Sequence, residues 1–220
     1  MITGVQMKSN VELHIEEGAV LWQNPLRSAY FYTPTYGHNE FFDPPIPWSN
    51  AAFAVNYPLV SATSQENIRI TGGGEIRGAD HGGQSHDGVS GSNRNTACPS
   101  LIHVFTIGYY DCKNVEISDM RLTRSGGYFL MSVGGENIYY ANNQIMMPTC
   151  VEADCTSFSN TDGAIINHCF AYSNDDAVVL SSAVTDPRAD MSPWFDAAPE
   201  TWDHGARNIT VAHSNYSGGK

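Results

Sequence analysis

Two stretches decide the fold: KNVEISDMRL, Lys113–Leu122, and ENIYYANNQI, Glu136–Ile145. Both place an Asn just ahead of alternating apolar residues, then turn and begin a second short apolar run. The same pattern, an Asn or Gly followed by apolar residues, recurs in SNVELHI from Ser9, ENIRITGGGEIRG from Glu66, GAIINHCFAY from Gly163 and RNITVAHSNY from Arg207. The spacing from Asn114 to Asn137 and that from Asn137 to Gly163 are nearly the same. Asn67 to Asn114 and Gly163 to Asn208 are each about twice as long, two periods or one period with a loop inserted.

A period of roughly 20 to 30 residues, with short β-branched strands and Asn or Gly at the corners, predicts an all-β solenoid, a parallel β-helix. Alternating strands and helices would show 3.6-residue apolar spacing between the strands, and none longer than a turn is present. An antiparallel sandwich also has many short strands, but it does not usually keep a coil-length register. In a β-helix, equivalent positions of successive coils stack about 4.8 Å apart. Asn114, Asn137 and Asn208 are therefore read as a structural corner ladder rather than as catalytic groups.

The chain has 220 residues, 41% hydrophobic and 15% charged, enough for one core and a single domain over 1–220. Its net charge is −12 and it has no Lys/Arg cluster, which argues against nucleic-acid and anionic-membrane partners. No run approaches the ~18 apolar residues needed to span a bilayer, and the first ten residues lack the apolar segment of a secretory signal. Five cysteines, Cys98, Cys112, Cys150, Cys155 and Cys169, have no CxxC spacing. That argues against a zinc site and leaves a Cys150–Cys155 or Cys155–Cys169 bridge open.

The chemistry is concentrated in SNDDAVVLSS, Ser173–Ser182, where Asp175 and Asp176 stand at the start of an apolar strand. Overlaying the coils aligns YFLMSV, CVEADCT and DDAVVLSS as successive first strands. Asp154 then falls one coil before Asp175 and Asp176, so three carboxylates converge on one face. Facing carboxyl groups can divide the work of glycosidic cleavage, one protonating the leaving oxygen and the other activating water. Crowding like charges raises at least one pKa and keeps a proton available. An isolated Asp pair at a turn is more often a solvated corner, an Asx turn or a calcium ligand pair. The arrival of Asp154 in register weighs against that here.

These residues resemble glycoside hydrolase family 28, the polygalacturonase-like family of right-handed parallel β-helices. ITGVQMKSNVELHIEEGAVL is similar to its opening coil, NIRITGGGEIRG to its I-x-G-x-G-x-I-x-G segment, and GAIINHCFAYSNDDAVVLSS to its coil ending in G-D-D. The resemblance implies Asp175 as general acid, Asp154 and Asp176 as holders of the attacking water, and inversion at the anomeric carbon. The family's N-T-D-G motif has a literal match at Asn160–Gly163, but Asp162 precedes Asp175 by little more than half of one coil. Its aspartate is therefore assigned to Asp154, with Glu152 in place of the family's Asn and Asn174 in place of the Gly before D-D; a bulge or shortened coil would give the place to Asp162 instead. NDDA is also similar to the related dextranase and isopullulanase family, which acts on neutral glucans.

Lys220 stands where the family's G-H-G histidine would fall, and its R-x-K pair would lie beyond. The chain is therefore expected to be an internal piece of a longer enzyme. Insertions are expected at about 36–58, 78–100 and 183–205, as rims of a substrate groove. Trp194 and Trp202 in the last of these are candidates to stack on sugars, alongside Phe195; a self-packed aromatic loop explains them equally well. His204 is the candidate substitute for the family histidine. Arg188, with Arg124, is the candidate cation for an acidic glycan, and Lys220 completes the substrate-binding candidates. The histidines lack metal-ligand spacing, so neither a metal nor a cofactor is expected. With 11 Lys+Arg in the chain, a neutral or only partly acidic glycan fits better than a dense polyanion.

The expected function, which the resemblance implies, is hydrolysis of a polysaccharide, pectin-like or related, outside the cytoplasm, extracellular or periplasmic. Two alternatives stand: a catalytically inactive carbohydrate-binding or structural β-helix, and a polysaccharide lyase on the same fold. A lyase would need Ca²⁺ and a basic residue to remove the proton α to a uronate carboxylate, and no such pair is evident.

Overall fold

In the computed structural model of the protein, the residues described are 1–2, 4–24, 58–78, 106–125, 128–148, 154–181 and 205–218. They form eighteen short strands and no helix, wound as six successive three-strand coils. The coils are β1 Val5–Gln6, β2 Val11–His14 and β3 Val20–Trp22; β4 Val60–Thr63, β5 Glu66–Thr71 and β6 Glu75–Arg77; β7 Ile107–Tyr110, β8 Lys113–Ser118 and β9 Arg121–Thr123. They continue as β10 Leu130–Val133, β11 Glu136–Ala141 and β12 Gln144–Met146; β13 Thr156–Ser159, β14 Asp162–Asn167 and β15 Phe170–Tyr172; and β16 Val178–Ser181, β17 Arg207–Ala212 and β18 Asn215–Ser217. The first, second and third strands of the coils each stack into a parallel sheet of six strands.

Each sheet turns one row of side chains inward. Ile68, Val115, Ile138, Ala164 and Ile209 stack in register along the second sheet. Leu21, Ile76, Leu122, Ile145, Ala171 and Tyr216 do so along the third. Ile68, Ile76, Ile117, Leu122 and Ile145 are completely buried, each worth about 2–3 kcal/mol of transfer free energy. Because every coil presents its apolar residues at equivalent places, the core is one continuous column between the sheets.

The corner between the first and second sheets explains the Asn repeat. Asn10, Asn67, Asn114, Asn137 and Asn208 have φ between 52° and 62°, and Gly163 holds the equivalent place at 78°. Asn tolerates this left-handed region better than other residues bearing a Cβ. Its amide also bridges coils: Asn67 Nδ2 donates to Asn10 Oδ1 at 2.9 Å, Asn114 Nδ2 to Asn67 Oδ1 at 3.0 Å, and Asn137 Nδ2 to Asn114 Oδ1 at 3.3 Å. Where Gly163 interrupts the ladder, Asn208 Nδ2 donates to Asp162 Oδ1 at 2.7 Å.

Two expectations are corrected. The first strand of the fifth coil runs over Thr156–Ser159 and does not begin at Cys150, so Asp154 precedes the strand. Cys155 and Cys169 are free thiols, so neither of the bridges that the sequence leaves open is formed. Both are buried apolar fillers: burial pushes the Cys155 thiol up to about 12, and Cys169 Sγ donates to Asn167 O at 3.5 Å. Among the described residues no helix is long and apolar enough to cross a membrane.

Candidate active site

The carboxylates lie at the corner where the third sheet hands the chain to the first. Thr156 pairs with Val178 and Ser159 with Ser181, the same offset that separates Asp154 from Asp176, so these two aspartates occupy equivalent places just ahead of β13 and β16. Main-chain bonds hold that register: Cys155 N–H donates to Asp176 O at 3.1 Å and Phe129 N–H to Asp154 O at 2.9 Å. The turn carrying the Asp pair is fixed by Ser173 Oγ, which donates to Asp175 O at 3.0 Å. Gly218 of the last coil sits against the same carbonyl, where an added Cβ would lie 2.7 Å from it.

The side chains of Asp154, Asp175 and Asp176 therefore meet, with one carboxylate oxygen of each within 4.8 Å of the others. Their settings differ. Asp154 is 4% exposed, Asp175 is half-buried and Asp176 is exposed. Asp176 N–H donates to Asp154 Oδ1 at 3.0 Å. Burial pushes the Asp154 carboxyl up to about 7; the Asp176 N–H and the Tyr128 hydroxyl oppose the rise, while the charges of Asp175 and Asp176 add to it. The trio therefore retains a proton near neutral pH beside an exposed carboxylate, the combination acid/base chemistry requires. The same oxygens are close enough to share a cation.

Tyr128 is the residue sequence reasoning missed. Its separation from Asp154 along the chain equals that of the paired Leu130 and Thr156 on β10 and β13, and its hydroxyl bonds the Asp154 carboxyl one coil away. The register that brought Asp154 to Asp176 would have found it, extended one winding backward.

Asp162 lies elsewhere. It opens β14 on the second sheet, where Arg207 Nη2 sits 2.8 Å from its Oδ2 and Asn208 holds its Oδ1. The NTDG match is thus a coil corner tied to the next winding. Arg124 follows β9 at the corner leading to Tyr128, in the third coil, two coils before the one that Asp154 opens. The other substrate-binding candidates, Arg188, Trp194, Trp202, His204 and Lys220, lie outside the described residues, as do Glu152 and most of the three expected insertions.

No family model matches the sequence, and no curated protein matches it. Solved structures do. The polygalacturonase from Erwinia carotovora superposes with a TM-score of 0.66 at 19% identity, over 96% of this chain and 50% of that one. The family 28 exopolygalacturonase of Yersinia enterocolitica matches with a TM-score of 0.59 at 14% identity, over 95% and 40%. The hyperthermoactive exopolygalacturonase of Thermotoga maritima gives 0.57 at 19%, over 81% and 44%. The chain thus spans half or less of the length of these enzymes. What it shares with them is the fold, the right-handed parallel β-helix on which these glycosidases are built.

Proposed function

We propose that the protein is a glycoside hydrolase that cleaves a polysaccharide at the Asp154–Asp175–Asp176 corner, outside the cytoplasm. The observation that carries this reading is the convergence of three carboxylates one winding apart, with the buried Asp154 pushed up to about 7. A merely solvated acidic corner does not bury one of its members.

In this mechanism Asp175 delivers a proton to the glycosidic oxygen as the bond from that oxygen to the anomeric carbon breaks. Water held between Asp154 and Asp176 attacks the anomeric carbon, and its proton passes to Asp176, the exposed carboxylate. The proton on Asp176 then passes by way of Asp154, a neighbour of both, back to Asp175, so that each residue regains its starting state for the next turnover. Oxygens within 4.8 Å are closer than the ~6.5–9.5 Å usual when water sits between acid and base of an inverting pair. Inversion at this corner therefore requires water held to one side, by two carboxylates together.

Proton NMR of the first product formed from a panel of neutral and pectic glycans tests both points. The inverted anomer is expected. The retained anomer would replace the water-holding role with a nucleophilic carboxylate, and no release of reducing ends from any glycan would leave a non-catalytic β-helix. With three acidic side chains at the corner, a neutral or partly acidic glycan is the better substrate on charge grounds.

A further inference from the structure

A second polar site lies away from the aspartate corner, where the TGGG run, Thr71–Gly74, interrupts the turn between the second and third sheets. In later coils that turn carries Asp119, Asn142, His168 and His213, all with positive φ. Gly72 takes the place with φ 119°, and a Cβ there would collide with the Ile15 carbonyl oxygen of the preceding coil. An open cavity of about 660 Å³, lined in part by Gly72 and Gly73, lies beside this turn.

Its walls are polar and nearly charge-balanced, with Arg69 and Arg121 against Glu17, Glu116 and Asp119. Most of these groups answer one another: Arg69 Nε is 3.0 Å from Glu116 Oε2, and Asn142 Nδ2 donates to Asp119 Oδ1 at 3.1 Å. The side chains of Arg121, Gln144 and Glu17 have no hydrogen-bonding partner among the described residues, although Arg121 feels the charge of the nearby Glu75. Arg121 and Gln144 are not isolated, because the third sheet aligns Arg121, Gln144, Phe170 and Asn215 as consecutive rungs of one outward row. Phe170 is 47% exposed, and Tyr172, on the same face of the same strand, is 45% exposed, while Ala171 between them is fully buried.

We infer that the notch over Gly72 and this outward row form a second, non-catalytic binding strip for a neutral glycan chain. Open hydrogen-bonding groups at one end and exposed rings further along, spaced by coils about 4.8 Å apart, match a ligand that offers hydroxyls at its edges and C–H faces for stacking. The mixed charge of the walls disfavours a polyanion. The choice of a glycan as ligand rests on the hydrolase reading of the aspartate corner, whereas the geometry of the strip does not.

Affinity electrophoresis through gels containing dextran, galactan or polygalacturonate tests the strip, using the full chain with Asp175→Asn so that no substrate is consumed. Retardation by a neutral glycan is expected, weakened at least five-fold by Arg121→Ala/Gln144→Ala and by Phe170→Ala, at unchanged melting temperatures. Phe170→Leu, which keeps an apolar side chain but removes the ring, is the control should Phe170→Ala fold poorly, and it should also weaken retention. Equal retardation of all variants, no retardation by any glycan, or a preference for polygalacturonate would overturn the strip. Strip-dependent retention with no reducing ends released by the wild-type chain would sink the hydrolase reading and leave the strip standing. Reducing ends released while all variants are retained alike would do the reverse.

Discussion

The main-chain N–H of Asp176 donates to the side-chain Oδ1 of Asp154 at 3.0 Å, across one winding of the solenoid. The bond fixes a buried carboxyl against an exposed one, and it exists only because the coil length at that corner equals the spacing of the two residues. A carboxyl with its pKa raised to about 7 by burial binds a proton more tightly folded than unfolded. Its contribution to stability is therefore complete below the unfolded value near 4 and is lost as pH climbs toward 7. The wild type should lose stability between about pH 4 and pH 7, by up to about 4 kcal/mol. Asp154→Asn should lack that slope and be the more stable protein at pH 8. Urea unfolding at a series of pH values checks this, and parallel slopes would contradict it.

Tyr128→Phe removes a hydroxyl that favours the charged form of Asp154. The Asp154 carboxyl should titrate at still higher pH in the variant. The basic limb of the pH–rate profile should move upward with little change in KM, and a ¹³C-detected titration of the aspartate carboxyls should show the same displacement. An unmoved limb would mean that the hydroxyl does not act on Asp154.

The Asn ladder makes a backbone prediction. Asn114 has φ 52° and links Asn67 to Asn137 through its amide. Asn114→Ala should cost about 3 kcal/mol, combining the left-handed penalty with two lost hydrogen bonds. Asn114→Gly, which relieves the backbone as Gly163 does, should cost about 2 kcal/mol, the two hydrogen bonds alone. Chemical denaturation distinguishes them, and a Gly variant weaker than the Ala variant would contradict the conformational explanation.

Core packing should be felt most where the coils interlock. Phe158 is fully buried and stacks on Tyr140, with ring centroids 5.8 Å apart at 21°. Phe158→Ala should lower stability by about 3–5 kcal/mol, and Phe158→Leu by clearly less. Equal melting temperatures for the two variants would contradict a tightly filled column.

Much of this was legible in the residues because a β-helix writes its geometry into a period. Asn67, Asn114 and Asn137 mark one corner, the apolar residues just after each of them mark the inward row, and counting one period between Asp154 and Asp176 pairs the carboxylates without any structure. The strand start at Thr156 was not legible, because the corner residues that precede it differ in number from coil to coil. Asp162 was separable from the trio for the same reason that Asp154 joined it: the stretch from Asp162 to Asp175 is too short to complete a coil. The free state of Cys155 and Cys169 was hidden, because sequence spacing does not say which side of a corner a thiol faces. The notch over Gly72 was visible only as a glycine run; its walls come from four successive coils that only the register brings together.

The most direct measurement is the rate of reducing-end release by Asp175→Asn against the wild type, on whichever glycan the wild type cleaves, at matched far-UV circular dichroism and melting temperature. Asp175 touches the trio through its side chain while its main chain is held by Ser173, so the substitution should leave the fold intact. A fall of about 100-fold or more is predicted, the usual scale of a lost general acid. A folded variant that releases reducing ends at a near-normal rate would contradict a hydrolytic centre at this corner.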